Sequence, residues 1–167
     1  MKIINQKHKT RAGYAILELL FYVSFFAVLS LLVINSMIIM TKSFKETSVQ
    51  AELMQGGSIL EKISRDIRQA NNFSYASNVL TLNIDNAGSP KTITFTFANP
   101  NMQVTDSVLG SLGNLNSPNI SVTAFAVTSI TTTEGKAVKI VLTIRSNNDT
   151  LGRTVNFYNT VVLRDSY

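Results

Sequence analysis

One carboxylate stands at the edge of a long apolar run. Glu18 is followed by residues 19–41, which are 23 positions without a formal charge. A carboxylate at a membrane edge is costly in hydrocarbon. It is either a side chain that snorkels to the interface or a group kept for a partner. Elsewhere the chain offers little chemistry. His8 is the only histidine and there is no cysteine, which excludes the usual zinc sites. Beyond residue 13 no histidine is left for a Ser-His-Asp arrangement. No P-loop and no G-x-G-x-x-G occurs. Asp85 and Asp149 fall in turn clusters, where Asp caps backbone, and neither belongs to the D-x-D-type cluster of a calcium loop. We therefore expect no enzyme, no cofactor and no metal.

The apolar run sets the organisation. It matches the roughly 20 residues a helix needs to cross hydrocarbon. It is longer than the core of a secretory signal, and no A-x-A-like site follows it. Lys2, Lys7, Lys9 and Arg11 precede it with no acid among them. These four account for most of the formal +5, so the rest of the chain carries about +1. A basic N-terminal flank places that end in the cytoplasm and the remainder outside. The high pI thus says little about nucleic acid. Lys136, Lys139, Arg145 and Arg153 near the last hairpin could make a modest patch. From Phe73 onward, however, six basic residues face five acidic ones, and a mixed solvated surface is the better reading.

Past Met40 the helical pattern continues. Val49 and Leu53, then Leu60, Ile63, Ile67 and Ala70, recur at helical spacing, with Glu61 and Arg65 as an i,i+4 pair on the wet side. Gly56-Gly57 predicts a bend or a loosened turn. One helix is expected from about Tyr14 to Ala70. From Phe73 the period becomes 2. Leu80, Leu82 and Ile84, then Ile93, Phe95 and Phe97, make a hairpin around a turn at residues 85–90. Residues 99–118 read as a long, partly packed loop. Residues 120–130 read as a bulged strand, because Ile120 and Val122 are out of phase with Phe125 and Val127. Val138, Ile140, Leu142 and Ile144 form the clearest strand, and Val155, Phe157, Val161 and Leu163 the last. The fold class is α+β: a long N-terminal helix packed on a mainly antiparallel sheet.

The stretch Gly13-Tyr14-Ala15-Ile16-Leu17-Glu18-Leu19-Leu20 resembles the class III signal of type IV prepilins and type II secretion pseudopilins. The resemblance implies a prepilin peptidase that cuts between Gly13 and Tyr14 and N-methylates Tyr14. It also implies that Glu18 pairs with the terminal amine of a neighbouring subunit. In this sequence Tyr14 stands where the family usually has phenylalanine. The proline of many major pilins is absent, with Asn35 in that region. Residues 60–70, the Val-rich strands and Val161-Val162-Leu163-Arg164 are similar to minor subunits of the pilin-W and pseudopilin-J kind. The implied parts are a leader (1–13), a transmembrane assembly helix (14–41), its continuation (42–72) and an exported β-rich head (73–167). The implied place is the inner membrane. The implied partners are other pilin or pseudopilin subunits and the assembly platform. Two readings compete: an uncleaved, membrane-anchored binding domain, and an exported enzyme or adhesin with a ligand site in the 99–118 loop.

Overall fold

The computed structural model describes residues 11–86, 88–132 and 135–163. Among the described residues a single helix, α1 (Arg11–Gln69), is followed by eight strands. Contacts divide the chain into a unit ending at Glu46 and a unit beginning at Thr47.

In the first unit α1 is apolar on every side. The large side chains from Tyr14 to Met40 are exposed throughout. The helix is long and apolar enough to cross a membrane. The polar side chains within it are held locally. Ser30 Oγ donates to the Phe26 carbonyl and Thr41 Oγ1 to that of Met37, each at 2.8 Å. Such back-bonds keep hydroxyls satisfied where no water is present. The helix runs through Asn35 without a break.

The second unit holds two antiparallel sheets where the sequence suggested one. The first runs β1 (Asn72–Ala76), β2 (Val79–Asn86), β3 (Ser89–Ala98), β4 (Asn101–Asp106) and β5 (Gly110–Asn114), in that order. The second runs β6 (Ile120–Thr132), β7 (Gly135–Ser146) and β8 (Thr154–Val162). Both follow the hairpin order of the chain, so no crossover is needed.

The last turns of α1 supply Ile59, Leu60, Ile63 and Ile67 to one core, joined by Ala70 just after the helix, against inward side chains of both sheets. Ile63 and Ile67 are fully buried, each a burial of about 1.5–3 kcal/mol. Leu80, Leu82 and Ile84 on β2 and Val138, Ile140, Leu142 and Ile144 on β7 alternate inward, as their period of 2 requires. The phase break in β6 is a bulge. Val122 pairs with Ile144 and Ala124 with Thr143, leaving Thr123 extra. The bulge lets Ile120, Val122 and Phe125 all face the core.

Residues 99–118 correct the expectation of a loop. Asn99-Pro100 is only the two-residue link between β3 and β4, and β4 and β5 form a further hairpin. Asp106 turns that hairpin, its Oδ1 accepting the Val108 N–H at 2.8 Å and the Leu109 N–H at 3.3 Å. Asn116 then ties the link between the sheets. Its Oδ1 accepts the Met102 N–H at 2.9 Å and its Nδ2 donates to the Ile120 carbonyl at 2.8 Å. Two further bonds cross the seam: the Val122 N–H reaches the Pro100 carbonyl at 2.9 Å, and the Tyr75 hydroxyl the Phe125 carbonyl at 2.9 Å. Burial pushes the Tyr75 phenol above its usual value.

Candidate functional site

Tyr14 and Glu18 lie four residues apart on α1, so they share one face of the helix. Both are exposed, Tyr14 by 75 %. Gly13 belongs to the same helix, one residue before Tyr14. The leader residues 1–10 lie outside the described residues. Glu18 has a partner the sequence reading did not name. The Tyr22 hydroxyl, one turn on, donates to its Oε1 at 3.1 Å. The i,i+4 spacing was legible, but an aromatic in an apolar run reads first as membrane-facing bulk.

A second carboxylate is buried. Glu52 sits in the mixed-charge stretch that looks solvated, yet it is buried at 8 % exposure. Its Oε2 accepts from the Ser146 hydroxyl, and its Oε1 from Asn148 Nδ2 at 2.6 Å. Ser146 Oγ also accepts the Asn148 N–H at 3.1 Å, so the turn after β7 is folded around the carboxylate. Buried charge needs this degree of satisfaction. Four residues on, Gly56 approaches the sheet. A Cβ there would lie 2.4 Å from Phe157 Cε2 and 2.7 Å from Ile144 Cδ1. Further along, Asn159 Nδ2 donates to Ser64 Oγ at 2.8 Å. Glu52, Gly56 and Ser64 thus fall on one stripe of the helix, with the second sheet beneath them. The helix assignment continues through Gly56-Gly57, and Gly56 serves this close approach. The ion pair on this segment is Lys62–Asp66 at 2.7 Å, with Asp66 nearly buried, where the sequence suggested Glu61–Arg65.

Lys139 and Arg145 project from the outer face of β7, whose inner positions are buried. Arg153 is engaged by its own turn, Nε to Asp149 Oδ2 at 3.0 Å. An open groove of about 370 Å³ lies between β1 and β6, lined by Phe73, Tyr75, Val127, Ser129 and Lys136 among others. Lys136 and the Tyr75 phenol are its titratable groups. Among the described residues no group of three or more His, Cys, Asp or Glu is placed to hold a metal ion.

Asp85 and Asp149 both cap turns. Asp85 Oδ1 accepts the Gly88 N–H at 3.1 Å. Asp149 accepts the backbone N–H groups of Leu151 and Arg153 as well as the guanidinium. The Arg153 side-chain bond, with those backbone bonds, holds its carboxyl at about 2. Asp106 is also lowered, first by the Val108 N–H, then by the Leu109 N–H and Lys91. A depressed carboxyl contributes stability in full above its unfolded value near 3.9 and loses it as pH falls toward the folded value. The Asp149 contribution should therefore vanish between about pH 4 and about pH 2. Carboxyl 13C NMR of the full chain in micelles should give an Asp149 midpoint at about 2, and Arg153→Ala should raise it. An Asp149 midpoint near the ordinary 3.9 would show that the turn does not hold this bond in solution.

Comparison with known proteins yields no relative: no protein family, no curated protein and no solved structure matches the chain.

Proposed function

We propose that this chain is a structural minor subunit, a minor pilin or pseudopilin, of a type IV pilus-like filament. The filament serves a pilus, a type II secretion system or a competence machine. The precursor sits in the inner membrane with its N-terminus in the cytoplasm, as the basic flank favours. A prepilin peptidase cuts after Gly13 and methylates Tyr14. The assembly platform then draws the subunit into a bundle of like helices. The chain is substrate and building block, not a catalyst.

The observation that carries this reading is Glu18, one helical turn from Tyr14, at the head of a helix whose large apolar side chains have no cover of their own. Such a surface needs lipid or sister helices around it. Once Tyr14 is the N-terminus, a cation and an anion stand one turn apart. In an apolar bundle, pairing them between neighbours sets the axial register, because either charge alone costs several kcal/mol. A simple uncleaved anchor accounts for the exposed helix and leaves Glu18 without a purpose. Processing separates the two. In cells with an active prepilin peptidase, immunoblotting should show a chain shorter by residues 1–13. A chain that stays full length refutes the proposal.

A further inference from the structure

The carboxylate at the head of the apolar helix is not bare. Tyr22 Oη donates to Glu18 Oε1 at 3.1 Å, and both residues are exposed on the helix surface. Side chains on a helix lean toward its N-terminus. A ring at i+4 therefore reaches back over Glu18, while the ring of Tyr14, at i−4, leans away from it. Phe21, Phe25 and Phe26 surround the pair and have no hydroxyl to offer. In hydrocarbon no water replaces a donor to a carboxyl oxygen, so the one the chain itself supplies is the one available there. A carboxylate has two oxygens, so a phenol on Oε1 leaves the acceptor positions of Oε2.

We infer that Tyr22 is a positioning residue for Glu18. Its hydroxyl satisfies Oε1 within the apolar span and holds the carboxylate so that Oε2 faces an incoming ammonium group. The first half stands on the hydrogen bond. The second half rests on the pairing role given to Glu18 under the proposed function. The phenol does not compete with the amine, because the two use different oxygens. Ring packing does not distinguish Tyr from Phe here, so Tyr22→Phe removes the hydroxyl alone.

The test uses the full chain, with 13C at the Glu18 carboxyl, in vesicles of phosphatidylethanolamine and phosphatidylglycerol. The isotope-edited infrared band of Glu18 should move in Tyr22→Phe. In cells, Tyr22→Phe should be cleaved normally and enter filaments up to about tenfold less than the wild type, the scale of one hydrogen bond. An unmoved band overturns the inference. So does a moved band with wild-type incorporation when Glu18→Ala abolishes it. If Glu18→Ala itself incorporates normally, the pairing role of Glu18 is what fails, and the band still decides whether Tyr22 holds the carboxylate.

Discussion

Gly56→Ala and Gly57→Ala, one residue apart in the same helix, should move stability in opposite directions. A helical glycine replaced by alanine gains up to about 1 kcal/mol where space permits. At Gly57 it does, since the nearest atom to a new Cβ is Phe157 Cε1 at 3.9 Å, an ordinary contact. At Gly56 the new Cβ would lie 2.4 and 2.8 Å from the Phe157 ring and 2.7 Å from Ile144 Cδ1. Ile144 is fully buried and cannot retreat without disturbing Ile140 and Leu142 beside it. Phe157 could swing outward, which would uncover the second sheet just where the helix lies on it. Overpacking of this kind costs about 1–3 kcal/mol, more than the propensity gain. Chemical denaturation of the full chain in detergent should place Gly56→Ala below the wild type and Gly57→Ala at or above it. Equal shifts of one sign would mean that the helix does not sit this close to β8 in solution.

Glu18→Ala should abolish entry into filaments while leaving cleavage after Gly13 largely intact. On the proposed reading, removing the acid would strand the new terminal ammonium of Tyr14 against an apolar bundle. Breaking one side of a buried pair costs about 3–5 kcal/mol, so incorporation should fall at least a hundredfold. Processed size and membrane level should match the wild type, since the exposed apolar surface of the helix is unchanged. Immunoblots of sheared filaments against membranes read both quantities. Wild-type incorporation would remove Glu18 from assembly.

How much of this was legible before the structure differs from element to element. Residues 19–41 carry the long apolar helix in composition alone, and β7 announces its strand by apolar residues at every second position from Val138 to Ile144. The β6 bulge was legible too, because a phase change inside an apolar strand has few other causes. β1 was lost because its turn, Ser77-Asn78, lacks the Asn-Gly or Asp-Gly signature. Yet both residues take positive φ, at 49° and 65°, as the tight hairpin demands. β4 and β5 were lost because Asn, Ser and Gly dominate residues 99–118, and β5 is exposed at every position, so no apolar period could announce it. The two-sheet split depends on Asn116 satisfying backbone of both sheets, a contact that no local pattern encodes. The burial of Glu52 was not legible for a related reason. Its burial is set by Ser146 and Asn148, about 95 residues away. In the helix Glu18 stood out because a lone acid in an apolar run is conspicuous, whereas its hydrogen-bond partner was hidden among aromatics.

The measurement that bears most directly on the whole account is the mass of the N-terminal peptide of the protein purified from cells that carry an active prepilin peptidase. The expected species begins at Tyr14 with one methyl group on its amine. A peptide that still carries the residues before Tyr14 would contradict it, and the chain would then be a tethered two-sheet head with no part in a filament.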